Sequence, residues 1–195
     1  MLLEYGHVMI SYDGVDYTLT PSFSNIAKLG KPKEIISKFK RFVSLDNNLA
    51  KWHLSMDVLE CCCDKELPIK LVGSTVFSEK KQRFIYMQPA HGMPMFNDCI
   101  TLAEHCLRHG VCGVCDSHDD VDYDSEPVSE FDAYKFIEIA MEHLNASRSD
   151  ASTMTMTEFS RRMALKFPSQ KKKNEPVISD FDRLINWGEQ QDKGH

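Results

Sequence analysis

Between residues 105 and 118 the chain carries His105, His109, Cys112, Cys115 and His118, side-chain types that ligate metals. Two histidines four apart share one face of a helix, and Cys112-Gly-Val-Cys115 has Cys-x2-Cys spacing with a glycine for a tight knuckle. Tetrahedral zinc needs four such groups, usually as two separated pairs, so this is half of a zinc ribbon. The plainer account packs Cys106 in the core and leaves the histidines and the other cysteines on a polar loop. A redox Cys-x2-Cys would need a helix N-terminus directly after it to lower a thiol pKa, and an acidic loop follows instead. Asp120, Asp122 and Asp124 match the first alternate ligands of an EF-hand, but Ser125 stands where glycine is needed and Phe131 where a bidentate Glu belongs. A solvated acidic loop is the expectation there. No Gly-x-Ser-x-Gly, HExxH or phosphate-cradling glycine loop is present, so no reaction is nominated and no cofactor is expected. Arg161, Arg162, Lys166 and Lys171 to Lys173 form a basic stretch beside Phe159 and Phe167, whose helical spacing suits packing better than base stacking.

The elements that would position these groups are legible from turn chemistry and periodicity. Val8-Met9-Ile10 and Val15 to Leu19 flank Asp13-Gly14, the signal of a tight hairpin. Pro21-Ser22 opens a short helix with Phe23, Ile26 and Leu29 inside and Gly30 as its stop; Pro32 opens the next, with Ile35, Ile36, Phe39 and Phe42 inside. A third helix covers Leu49 to Cys62, with Leu49, Trp52, Met56 and Leu59 as one stripe and Leu54, Val58, Cys61 and Cys62 as another. Ile69, Leu71 and Val72, then Phe84 to Met87, read as two short extended pieces. Asn97 is expected to cap a helix running to about His109 and stopped by Gly110. Phe131, Tyr134, Ile137, Met141 and Leu144 recur at steps of three and four, predicting an amphipathic helix with these residues on its buried side. Ser147 to Thr153 forms a further short helix. Thr155 to Glu158 then has capping-box spacing and leads into Phe159, Met163 and Phe167, ended by Pro168. A last helix is expected from Ser179 to about Gln190, carrying Phe181, Leu184, Ile185 and Trp187.

The fold class expected is mainly α: a helical domain with a small N-terminal β-hairpin and room for a second short β pair in the middle (α+β). Residues 1–168 form one globular domain and 169–195 a polar C-terminal extension with a short helix. With 195 residues, 42% hydrophobic and 27% charged, the chain has ordinary globular composition. Its 23 basic against 29 acidic residues give a net charge of −6, which argues against duplex binding, so no nucleic-acid partner is expected. No apolar run approaches the length of a membrane span, and the opening Met-Leu-Leu-Glu-Tyr-Gly-His lacks the features of a signal peptide. Seven cysteines, three of them consecutive at 61 to 63, suit free thiols in a reducing cytoplasm.

Three segments, in this order, carry a family resemblance. They are Tyr17-Thr-Leu-Thr-Pro21-Ser-Phe23 continuing through Ile26, Leu29-Gly30, Pro32 and Glu34-Ile35; Leu102-Ala-Glu-His105 continuing through Arg108-His109-Gly110-Val111; and Glu130-Phe131 continuing through Tyr134, Ile137, Met141, Leu144, Met154 to Phe159 and Lys166-Phe167-Pro168. Together they resemble tail assembly chaperones of long-tailed bacteriophages and, more narrowly, an uncharacterised phage protein family of about this length. The resemblance implies a non-enzymatic role in virion morphogenesis, in the host cell cytoplasm, with the protein absent from the mature virion. The implied partner is the tape-measure protein, with the tail-tube protein as a further candidate and self-association allowed. Ten Met and 11 Phe on an acidic chain would give such a client adaptable apolar surface. Under this reading Phe131, Tyr134, Met141, Phe159, Met163 and Phe167 are the partner-binding candidates. The resemblance brings no metal site with it, which makes His105, His109, Cys112, Cys115 and His118 a local variation. It also suggests a longer frameshifted form diverging at Lys171 to Lys173. The alternatives from other classes are a small zinc-binding module or enzyme centred on Cys112 and Cys115, and a structural tail-completion protein retained in the virion.

Overall fold

The computed structural model describes residues 4–88, 96–114 and 129–167. The expected last helix, the acidic loop with Asp120 to Asp124, the lysine run, Cys115 and His118 lie outside the described residues.

After a 3-10 turn at Glu4–Gly6, β1 (Val8–Tyr12) and β2 (Val15–Leu19) pair antiparallel from Tyr12↔Val15 to Val8↔Leu19. Asp13 and Gly14 turn the chain with φ of 50° and 75°, the two positive angles that a two-residue hairpin of this hand requires. The short helix α1 (Phe23–Ile26) is capped by Ser22, whose Oγ accepts from the Asn25 N–H at 3.3 Å, and it tightens into a 3-10 turn over Ala27–Leu29. At Gly30, φ is 144°, a conformation in which an L side chain would be strained. Helix α2 (Pro32–Ser44) follows, with the Glu34 carboxylate accepting from the Lys31 N–H at 2.8 Å, and buries Ile35, Ile36, Phe39 and Phe42. Helix α3 (Asn48–Cys62) is capped by Asn47 and buries Trp52, Ser55, Val58, Leu59 and Cys62.

The middle of the chain departs from expectation in its details. Residues 69–72 are a single helical turn, α4 (Ile69–Val72), rather than an extended piece. Pro68 stands in extended backbone where it can open a helix, and a four-residue apolar run has no periodicity to choose between the two states. The second β pair exists, but the partner of β4 (Arg83–Met87) is β3 (Ser74–Ser78). Helix α5 begins by Phe96 and runs to Leu107, so Asn97 lies inside it and its carbonyl accepts from Thr101 Oγ1. Gly110 does not stop the chain's helical course. A π turn carries on over Arg108–Cys112, closed by the Gly113 N–H donating to the Arg108 carbonyl at 2.9 Å, and Gly113 (φ 74°) is the stop.

The last three helices are α6 (Ala133–Leu144), capped by Asp132 and ended by Asn145 in the left-handed region; α7 (Arg148–Thr153), capped by Ser147; and α8 (Met156–Lys166), capped by Thr155. The described chain is thus mainly α with two small antiparallel pairs. Its centre is the packing of α3 on α5, with α1 driven between α3 and α6. The fully buried Phe23 ring stacks on Phe136 at 5.6 Å and meets Phe159 edge-on at 5.7 Å. Backbone bonds knit the N-terminal segment into later elements: Thr20 N–H to the Cys62 carbonyl, Phe23 N–H to the Met154 carbonyl, and Phe131 N–H to the Pro32 carbonyl.

Candidate functional site

The histidines predicted to share a helix face do so, with ring centroids 4.3 Å apart. Each is already engaged. His105 Nε2 lies 3.1 Å from the Gly6 carbonyl and His109 Nδ1 lies 2.9 Å from Thr157 Oγ1. The buried Thr157 hydroxyl also accepts from the Val114 N–H at 2.9 Å, and the neighbouring Thr155 hydroxyl donates to the Tyr5 carbonyl at 2.9 Å. Gly6 (φ 85°) is required here, because a Cβ on it would run into the His109 ring. Burial, aided by His105, Arg108, Arg161 and His7, lowers His109 to about 4, and burial lowers His105 as well. Two neutral imidazoles therefore act as a clamp joining the N-terminal turn, the end of α5 and the start of α8. Cys112 is buried at the end of the π turn, and among the described residues no three His, Cys, Asp or Glu side chains converge as a metal site.

Four of the described thiols are disfavoured as thiolates. A hydrogen bond with Cys106, joined by burial, pushes Cys62 well up, while burial pushes up Cys61, Cys63 and Cys99. All four resist forming the thiolate that nucleophilic or redox chemistry uses.

The six partner-binding candidates do not form a single groove. Phe131 and Phe159 are core residues, both packed on Phe136 with centroids at 5.2 and 5.5 Å. Tyr134 and Met141 are not on the buried side of α6, which consists of Ala133, Ile137 and Ala140; they face solvent. One turn of α8 later than Phe159, Met163 is half-buried against the core, and Phe167 ends the helix 50% exposed, its ring 5.8 Å from His143. Contacts at Phe136–Phe159 and at His143–Phe167 mean that α8 lies alongside α6 and parallel to it. Phe136 and His143 form that flank, and Tyr134 lies two residues from Phe136, about 200° round the helix. The arrangement is one exposed apolar edge on α6, Tyr134 with Met141, and two separately exposed side chains at the end of α8, Phe167 and the 83% exposed Leu165.

One group escaped the sequence reading. On the β3–β4 hairpin Val76, Phe77, Phe84 and Met87 are all about half exposed, and the Phe77 and Phe84 rings meet at 5.3 Å. Alternation in Ser74 to Ser78 is too short to register as a strand, so the partner of Phe84 went unrecognised.

A family model described as "Family of unknown function (DUF6246)" matches residues 47–177, about two-thirds of the 195. The chain belongs to the DUF6246 family. No curated protein and no solved structure matches it. The DUF6246 match takes in α3 to α8, with His105 and His109, the β3–β4 hairpin and the exposed apolar side chains of α6 and α8, and leaves out the first hairpin, α1 and α2. Those omitted elements nevertheless supply Phe23 and the backbone bonds to Cys62 and Met154, so the matched stretch is not self-contained in this chain.

Proposed function

We propose that this DUF6246 chain is a non-enzymatic assembly chaperone of a long-tailed bacteriophage. It acts in the host cytoplasm, holds the tape-measure protein in soluble form, and is absent from the mature virion. The observation that carries this reading is the apolar surface left in water along α6 and at the end of α8: Tyr134, Met141, Leu165 and Phe167. Large apolar side chains exposed on helices suit an amphipathic helical client, which docks by side chains at three- and four-residue spacing. Methionine adds adaptability to such a surface. Thiols disfavoured as thiolates and imidazoles already committed to backbone and threonine partners suit a binding protein better than a catalyst. The sequence likeness to tail assembly chaperones supplies the identity of the client.

The test is co-expression with the tape-measure protein encoded near its gene. The client should move into the soluble fraction and co-purify. Replacing Leu165 and Phe167 by Ser, or Tyr134 and Met141 by Ser, should lower the recovered client several-fold without unfolding the chaperone. Client that precipitates equally with and without the chain overturns the reading.

A further inference from the structure

We propose that this protein self-associates head to tail, the tip of the β3–β4 hairpin of one copy entering the groove between α3 and α4 of the next. The hairpin is apolar on both faces. In the register, Val76 and Met87 lie on one side and Phe77 and Phe84 on the other, each about half exposed. A two-stranded ribbon is marginal on its own, yet the base of this one is fixed. Tyr86 donates to the Val72 carbonyl at 2.9 Å and packs on Trp52 and Phe96 with centroids at 5.2 and 5.0 Å. Gly73 (φ 83°) has no room for a Cβ beside Tyr86. The ribbon is therefore held out from the body, with the Phe77–Phe84 pair near its tip. Its tip is basic, with Lys80 and Lys81 in the turn and Arg83 opening β4 against Glu79.

The receiving surface is a groove of about 620 Å³ whose apolar lining includes Trp52, Met56, Leu67 and Val72. That volume lies in the range, roughly 300–1,000 Å³, of clefts that enclose compact apolar groups. Its charge is opposite to that of the hairpin: Asp57, Glu60 and Glu66 line it against a single Arg41, and Lys38 approaches Asp57 at 3.7 Å from outside the lining. An apolar aromatic pair beside basic residues thus matches a groove whose lining is apolar and acidic. The hairpin's own base is part of the groove, since Thr75 of β3 lines it, while Phe77 and Phe84 are absent from its lining. The occupant is accordingly a second copy. A contact between two different surfaces is heterologous and adds copies in one direction. This inference stands apart from the client reading, which uses α6 and the end of α8.

Sedimentation velocity of the full chain across a concentration series should show mass rising above the monomer, and association should weaken as salt is raised. Phe77→Ser with Phe84→Ser removes the plug, and Glu60→Lys with Glu66→Lys reverses the charge of the lining. Each double variant alone should associate at least about tenfold more weakly, as for loss of central aromatic or buried charged anchors. Mixed together, they retain one intact hairpin and one intact groove, and should form a heterodimer that grows no further. Near-UV circular dichroism like that of the parent shows that both are folded. Should either variant fail that check, Lys80→Glu with Lys81→Glu, mixed with the parent at low salt, reads the same contact through loss of chain growth. A monomer at every concentration, or folded variants that fail to complement, overturns the proposal. So does a hairpin that is needed for client capture while the chain stays monomeric.

Discussion

His109 shows how a residue type that suggests metal chemistry can be used for structure. Its ring is half-buried between Gly6, His105 and Thr157, and its pKa of about 4 lies below the roughly 6.5 of a free imidazole. The unfolded chain therefore binds a proton there more readily than the folded one. The stability this gives is complete above about pH 6.5 and is lost as pH falls through 4, and His105 acts in the same direction. Allowing for the part of the ring that solvent still reaches, the effect is at most ~2 kcal/mol. Urea midpoints measured from pH 7.5 down to 4.5 should fall less steeply for His109→Gln than for the parent; parallel curves would refute the assignment. Gly110 makes a second residue-scale prediction. A Cβ there would lie 2.8 Å from Ile26 Cδ1 and 2.9 Å from the Pro21 carbonyl oxygen, and backbone cannot step aside as a side chain can. Gly110→Ala should cost ~1–3 kcal/mol in chemical denaturation.

Turns and helix openings carry more of the information about the elements than caps do. Ser22, Ser147 and Thr155 accept backbone N–H groups where the sequence opens a helix, but Asn47 and Asp132 cap helices without a signal read for them, and Asn97 lies inside α5. Thr155 does more than cap, since its hydroxyl accepts from the Glu158 N–H at 3.1 Å and donates to the Tyr5 carbonyl. Thr155→Ala should therefore lower stability by ~1–2 kcal/mol, while Thr155→Ser should recover most of it, as read by thermal melts. Periodicity was a poorer guide where a helix has neighbours on more than one side. The apolar stripe of α6 offers Phe131, Tyr134, Ile137 and Met141, but α1 and α8 pack on the Ala133, Phe136 and Ala140 side, and small residues let them come close. Alanines carry little weight in a hydrophobic pattern, so the buried face was misplaced by part of a turn. Gly110 misled for a similar reason. Glycine signals a helix end when it supplies a positive φ, and here it serves close approach to Ile26 instead. The clamp made by His105 and His109 was half legible: their shared face follows from spacing, but their partners Gly6 and Thr157 come from the far ends of the chain.

At the scale of the whole molecule, the first 46 residues close a core that the family match alone does not complete. Leu19, Phe23 and Ile26 are fully buried, and their neighbours belong to α3, α6 and α8. A piece spanning only residues 47–177 should thus bind a hydrophobic dye and lack a cooperative melt, and adding back residues 1–46 as a separate peptide should not fully restore it. A cooperative transition in that piece would show that the N-terminal elements are accessory. The bonds from Phe23 to Met154 and from Tyr5 to Thr155 also have a consequence during synthesis. Some 130 residues must be added after Phe23 before its partner exists, which at about 5–20 residues per second takes roughly 7–26 s. For that interval the Phe23 N–H lacks its Met154 acceptor and the Phe23 ring lacks its edge-on contact with Phe159. A stop codon anywhere before the eighth helix would leave a product that never closes, whereas a change of reading frame beyond Phe167 would leave every contact described for Phe23 in place.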